Sequence, residues 1–185
     1  MSINEFLKLK EQYFQETTAQ RRSLSNEICE ANVKLLTLCS ITFDLLKVSH
    51  SSDIRLNTNN FVNEHDSSFL LYNCARISTI LKKFNYLVAQ GIYPNLPEIE
   101  TVNFEEDLKN ELEKRLCNEF LFKFEDQLKE LKSNLIDNSA NLVEKLQIKF
   151  NIHKLCRFLF DFSKLFSSYY SKVKVLEVSK KLFIF

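Results

Sequence analysis

A thiol and an imidazole at helical spacing are the side chains of this 185-residue chain best suited by type to nucleophilic catalysis. Cys156 follows His153 by three residues, a spacing that can join a thiolate to a general base. Cys156 also lies in an apolar stripe, where a free cysteine behaves as a small core residue. We therefore favour a structural role for Cys156 and expect no catalytic residue at this position.

Neighbouring carboxylates are the other candidates for acid–base chemistry. They occur as the pairs Glu105/Glu106 and Glu125/Asp126. Both pairs fall on helix faces that the pattern predicts to be exposed, so ordinary solvated charge is the favoured interpretation. The sequence lacks GxGxxG, GxxxxGKS/T, HExxH and GxSxG motifs. We expect a protein that is not an enzyme on its own and that needs no cofactor or metal.

Basic and aromatic residues alternate in places, a pattern that suits RNA. Residues 145–185 contain eight Lys and one Arg against two acidic residues, whereas residues 97–126 contain ten acidic and four basic residues. Cations neutralise phosphates and aromatic rings stack with unpaired bases, although solvated charge is the alternative interpretation. The candidate RNA-binding residues are Arg76, Lys82, Lys83, Lys154, Arg157, Tyr169, Tyr170, Lys172 and Lys174.

Two residues on one apolar segment have further structural interpretations. Arg76 stands among apolar neighbours, so it either contacts RNA or pairs with a carboxylate between helices. Tyr72 is expected in the core, with its hydroxyl hydrogen-bonded.

These side chains must be positioned by helices. The chain has one Gly and two Pro, far below the usual shares of about 7% and 5%, which argues against sheets and glycine-rich phosphate loops. Apolar periodicity and capping signals predict helices over about 3–22, 25–47, 66–89, 103–132, 139–149 and 152–173. Gly91 follows the third of these helices where a left-handed residue belongs. The predicted fold class is all-α, a helical bundle.

The five cysteines are an odd number without CxxC pairing, and no signal peptide opens the chain. Both features indicate a reducing setting, cytoplasmic or nuclear, with buried free thiols rather than a disulfide framework or a zinc site; of the two settings we expect the cytoplasm. No apolar run is long enough for a membrane span, so we expect no membrane partner.

Three blocks of the sequence resemble, in the same order, the anticodon-binding domain of arginyl-tRNA synthetases, the DALR type. The first block, 41–56, ends a helix in a Lys/Ser-rich turn that leads to an Asp-Ile pair. The second is the helix with Tyr72-x-x-Ala75-Arg76-Ile77. The third, 152–176, is an apolar helix that closes on an aromatic-Tyr pair, followed by a polar turn and a Val-Leu ending.

The resemblance implies a division of the chain. It covers about residues 35–176 as the anticodon-binding-like helical domain, with 1–34 as an N-terminal helical leader and 177–185 as a short, atypical tail. The implied fold is the helical bundle of this class of synthetases, and the implied partner is the anticodon arm of a transfer RNA.

Departures from the synthetase pattern are informative. The HIGH and KMSKS signatures that bind ATP are missing, and Asn73-Cys74 stands where the synthetases usually have Ala-His. The sequence around Tyr72 and from Ser168 onward is more similar to the non-catalytic DALR anticodon-binding domain-containing protein three family. That resemblance implies binding of arginine tRNA and assistance to a tRNA methyltransferase that forms 3-methylcytidine in the anticodon loop.

Two other functions stay open. The chain could be a piece of an arginyl-tRNA synthetase, an arginine–tRNA ligase whose catalytic domain lies elsewhere. It could also be a protein-interaction bundle that has kept the fold without RNA binding, an alternative that fits a net charge of only +1.

Overall fold

The computed structural model describes residues 2–19, 26–49, 51–54, 66–136 and 151–176. Within these ranges the chain is mainly helical and no strand occurs, which confirms the predicted all-α class. The helices are α1 Ile3–Ala19, α2 Asn26–Leu46, α3 Asp66–Ala89, α4 Phe104–Asp107, α5 Glu111–Arg115, α6 Phe122–Ile136 and α7 Ile152–Lys172. The helix predicted over 139–149 and the tail 177–185 lie outside the described residues.

Shorter helical pieces surround α4 and α5. A 3-10 turn, Ile99–Thr101, precedes α4, and a six-residue π-helical stretch, Leu116–Leu121, joins α5 to α6. The chain forms two compact units: unit 1 is Met1–Phe69 with Glu130–Arg157, and unit 2 is Leu70–Lys129 with Phe158–Phe185. No helix in the described part of the chain is both long and apolar enough to cross a membrane.

Unit 1 holds a buried ion pair between its first two helices. Lys10 of α1 is only 3% exposed, and its ammonium pairs with Asp44 of α2 and donates a hydrogen bond to Ser40 Oγ at 3.0 Å. The Ser40 hydroxyl shares a 2.8 Å hydrogen bond with the Ser67 hydroxyl. A charge can be buried only when it is paired and hydrogen-bonded, so this polar cluster fixes α1 against α2.

Unit 2 has an aromatic core that α7 organises. Leu116, Leu165 and Phe166 are buried together, and residues from α3 and α5 pack around them. The Phe162 and Phe166 rings are stacked with centroids 6.1 Å apart, and Tyr170 continues the row at the same spacing. Because residues four apart share one helix face, the row of rings leads from the core to the last turn of α7.

The single helix predicted over 103–132 is wrong, because the chain breaks it after one turn. Asn103 caps α4, with its side chain accepting from the Glu105 amide at 3.3 Å, and α4 ends at Asp107. A second start follows at Asn110, whose side chain and Glu113 form a capping box. Apolar periodicity alone does not reveal this second start, whereas the Asn-x-x-Glu spacing does.

The predicted end of α3 is confirmed. Gly91 adopts a positive φ of 68°, and the amide of Ile92 donates to the Leu87 carbonyl at 2.9 Å. The left-handed residue lets the chain fold back and satisfy carbonyls of the last turn. At the other end of α3, Asp66 is the first helical residue and Ser67 is buried.

Candidate nucleic-acid interface

Arg76 lies between two tyrosine rings in unit 2. Its guanidinium carbon is 4.4 Å from the ring centroid of Tyr72 and 4.5 Å from that of Tyr170. Arg76 Nη2 donates to Tyr72 Oη at 2.7 Å, and Nη1 donates to Asn73 Oδ1 at 3.3 Å and to Ser167 Oγ at 3.4 Å. Cation–π contacts and neutral acceptors therefore hold one cation between α3 and α7.

This arrangement corrects the expectation for Tyr72 and one of the two interpretations of Arg76, whose contact with RNA stays a prediction. Tyr72 is 58% exposed, so its predicted core position is wrong: its ring covers the Arg76 guanidinium, while Asn73 and Leu87 occupy buried positions on α3. Arg76 forms no ion pair with any carboxylate of the described residues. The four-residue spacing of Tyr72 and Arg76 was the available signal for this contact.

A cavity of about 800 Å³ lies beside the stacked residues. Its basic and aromatic lining consists of Arg76, Lys83, Lys172, Lys174, Tyr72 and Tyr170. Its aliphatic lining consists of Ala75, Ile80, Val173, Val175 and Leu176. Among the described residues of unit 2, none that lines the cavity is acidic. A concave site with apolar surface and convergent cations can hold a ligand that carries both rings and negative charge.

Five of the nine predicted RNA-binding residues meet in this cavity, namely Arg76, Lys83, Tyr170, Lys172 and Lys174. They come from the middle of α3, the last turn of α7 and the segment that follows α7.

The other four predicted residues lie elsewhere. Lys82 is exposed on α3 but does not line the cavity. Lys154 and Arg157 are exposed and belong to unit 1, where Lys154 Nζ pairs with Glu130 at 2.8 Å. Tyr169 Oη donates to Glu113 Oε1 at 3.0 Å. Sequence spacing thus indicates residues on the two helices that line the cavity but does not separate the members of the cavity from their neighbours.

Burial and the Glu113 carboxylate raise the pKa of Tyr169 to about 12. Burial is the larger cause, because it disfavours the phenolate, and the hydrogen bond and negative charge of Glu113 act in the same direction. Tyr169 therefore remains a protonated donor at neutral pH, which suits a structural link more than a titrating group.

The residues that could have supported catalysis do not assemble a site. Cys156 is 8% exposed, which confirms its predicted core position, and burial raises the pKa of its thiol. A raised pKa leaves less thiolate at neutral pH. Glu125 and Asp126 are exposed and lie near Lys129, as solvated charges do. No group of three potential metal ligands occurs among the described residues.

Comparison with known proteins identifies the type of domain. The model of the DALR anticodon binding domain matches residues 70–183. The DALR anticodon-binding domain-containing protein 3 of Danio rerio is 30% identical over 188 residues, covering 89% of this chain and 31% of that protein. Its counterpart in Mus musculus is 29% identical over 146 residues, covering 77% of this chain and 26% of the mouse protein.

A synthetase is also among the similar proteins. The arginine–tRNA ligase of Borrelia garinii subsp. bavariensis is 28% identical over 157 residues, covering 84% of this chain and 23% of the ligase. The chain thus spans less than a third of the length of each of these relatives. No solved structure matches it.

Proposed function

The chain belongs to the DALR anticodon-binding domain family, and from this premise we propose that it binds transfer RNA at the anticodon arm. The observation that carries the proposal is the cavity of unit 2, where four cations and two tyrosines converge and none of the described lining residues is acidic. A cavity with convergent cations favours a polyanion, and tyrosine rings favour a polyanion whose bases can stack on them.

The single-stranded anticodon loop fits this site better than a duplex does. Proteins read RNA loops by stacking unpaired bases on aromatic side chains, while Lys and Arg neutralise the adjacent phosphates. Tyr72 has an exposed ring, and Lys83, Lys172 and Lys174 are exposed at the same cavity. We propose that these residues contact the loop, with Arg76 and Tyr170 completing the surface.

The finer proposals follow from the resemblance to the DALR anticodon-binding domain-containing protein three family. We propose that the chain is a non-catalytic, cytoplasmic adaptor that binds arginine tRNA and presents it to a methyltransferase for 3-methylcytidine formation. An assay of methyl transfer to arginine tRNA, with and without this chain, tests the adaptor role. A rate that does not depend on the chain contradicts it.

Anticodon-arm recognition has a direct test. We expect this chain to bind an arginine tRNA more tightly than a chimera in which the anticodon stem-loop comes from an unrelated tRNA. Fluorescence anisotropy at fixed salt measures both affinities, because electrostatic affinity depends steeply on salt. Equal affinities contradict recognition of the arm, and the absence of binding to either RNA contradicts the proposed function itself.

The similarity to the Borrelia arginine–tRNA ligase supports a second candidate, the RNA-binding part of a synthetase. In that case the chain binds arginine tRNA but acts in aminoacylation. Adding the chain to a purified ligase catalytic domain and measuring arginylation separates the candidates, because only the second predicts a stimulated rate.

A further inference from the structure

We infer that Glu113, which lies outside the basic cavity, positions the residues that line it. This inference rests on the proposed function. Glu113 Oε1 accepts the hydrogen bond from Tyr169 Oη at 3.0 Å, and Glu113 Oε2 accepts from the Asn110 amide at 3.3 Å. One carboxylate therefore connects the capped start of α5 to the last turn of α7.

The last turn of α7 determines where one wall of the cavity begins. The Tyr169 carbonyl accepts the amide of Val173 at 2.9 Å, and the residues at 171–176 line the cavity. That wall carries Lys172 and Lys174. A hydrogen bond that holds Tyr169 in place therefore also fixes the position from which residues 171–176 continue, and this segment carries Lys172 and Lys174.

Packing makes Tyr169 a suitable point of attachment. Its ring packs against the buried cluster of Leu116, Leu165 and Phe166, whereas the ring of Tyr170, one residue further on, contacts Arg76 at the cavity. Consecutive residues on a helix point in directions about 100° apart. If the Tyr169 side chain is held toward the buried cluster, the Tyr170 side chain is consequently held toward the cavity.

Simple electrostatics and positioning predict opposite results when Glu113 is removed. Glu113 does not line the cavity, and loss of a negative charge from unit 2 by itself favours a polyanion. If Glu113 positions the wall, however, its loss displaces lysines from the RNA. Each lost phosphate contact lowers affinity by about fourfold near 0.15 M salt, because about 0.7 counterion is released per single-stranded phosphate.

Three variants test the inference against arginine tRNA. Glu113→Ala and Tyr169→Phe each break the link and are expected to weaken binding by between about 4-fold and 14-fold, for one or two displaced lysines. Glu113→Gln keeps an oxygen acceptor for Tyr169 and is expected to retain most of the affinity. The matched control is Glu119→Ala, since Glu119 pairs with Arg115 on the exposed surface and its loss changes the charge equally.

The salt dependence separates positioning from a loss of folded protein. Displaced lysines reduce the slope of log K against log salt by about 0.7 each, whereas a smaller folded fraction raises the apparent Kd by the same factor at every salt concentration and leaves the slope unchanged. Tighter or unchanged binding by Glu113→Ala, with an unchanged slope, overturns the inference.

Hydrogen exchange provides a readout that does not need RNA. In Glu113→Ala and Tyr169→Phe, backbone amides at 171–176 are expected to exchange faster than in the wild type, while in Glu119→Ala they are not. Unchanged exchange overturns the positioning role whatever the RNA result. Faster exchange with no tRNA binding by the wild type supports the link and contradicts the proposed function.

Discussion

Removal of two cavity lysines should reduce both the affinity for tRNA and its dependence on salt. Lys172 ends α7 and Lys174 follows it, and both line the cavity with Arg76 and Lys83. The double variant Lys172→Ala, Lys174→Ala leaves two of these four cations. Both positions are exposed, so the substitutions should not unfold unit 2, and circular dichroism would check this.

The magnitude follows from counterion release. If all four cations contact phosphates, log K falls with log salt at a slope of about −2.8, and the double variant has a slope of about −1.4. Between 50 and 200 mM salt, the wild type then loses about 50-fold in affinity and the variant about 7-fold. At 0.15 M salt the two changes together weaken binding by about 14-fold.

Anisotropy titrations of labelled arginine tRNA at several salt concentrations measure both quantities. The matched control is Lys109→Ala with Lys123→Ala, which removes the same charge from two exposed positions of unit 2 outside the cavity. An equal loss in the control indicates that only the long-range field matters. A variant with the wild-type slope refutes the assignment of phosphates to this cavity.

Three other predictions follow from single contacts. Lys83→Ala should lower tRNA affinity by about fourfold whereas the neighbouring Lys82→Ala should not, because only Lys83 lines the cavity; equal effects in the same titrations indicate a wider basic face. Asp44→Ala should cost about 3–5 kcal/mol of unfolding free energy, because it leaves the Lys10 charge buried without its partner; denaturant unfolding checks this, and a change below about 1 kcal/mol contradicts it. The free energy of unfolding should decline between about pH 10 and pH 12, because the pKa of Tyr169 is about 12 in the folded chain against an ordinary 10 and its contribution is lost as pH rises through the folded value; Tyr169→Phe should remove that part of the decline, and an unchanged pH profile contradicts it.

The sequence predicts those parts of the fold that local signals specify. The α3 helix ends where Gly91 supplies a positive φ, and α7 occupies nearly the predicted range, since each depends on a few adjacent residues. Apolar periodicity does not predict the interruption before α5, because the apolar pattern continues through it, although Asn110 and Glu113 carry a capping signal. Competing local signals thus explain the main error in the predicted secondary structure.

The candidate site depends on contacts between helices that are far apart in the sequence, and hydrophobic periodicity contains little information about such contacts. The apolar neighbours of Tyr72 predict a core position, yet its ring packs on the Arg76 guanidinium, which also contacts the ring of Tyr170 from α7. Lys82 and Lys83 are equivalent in the sequence, and only the direction of each side chain distinguishes them. Residue types therefore indicate the kind of candidate site, whereas the packing of α3 against α7 determines which of these residues share a cavity.

The π-helical stretch Leu116–Leu121 has a consequence for chain length. A π turn holds about one residue more than an α-helical turn. Deletion of one residue within it therefore returns the helix to α geometry, and the side chains of the flanking helices keep their directions. The same deletion inside α7 rotates every later side chain by about 100°. Loss of one residue should therefore be tolerated between α5 and α6, whereas it should not be tolerated within α7.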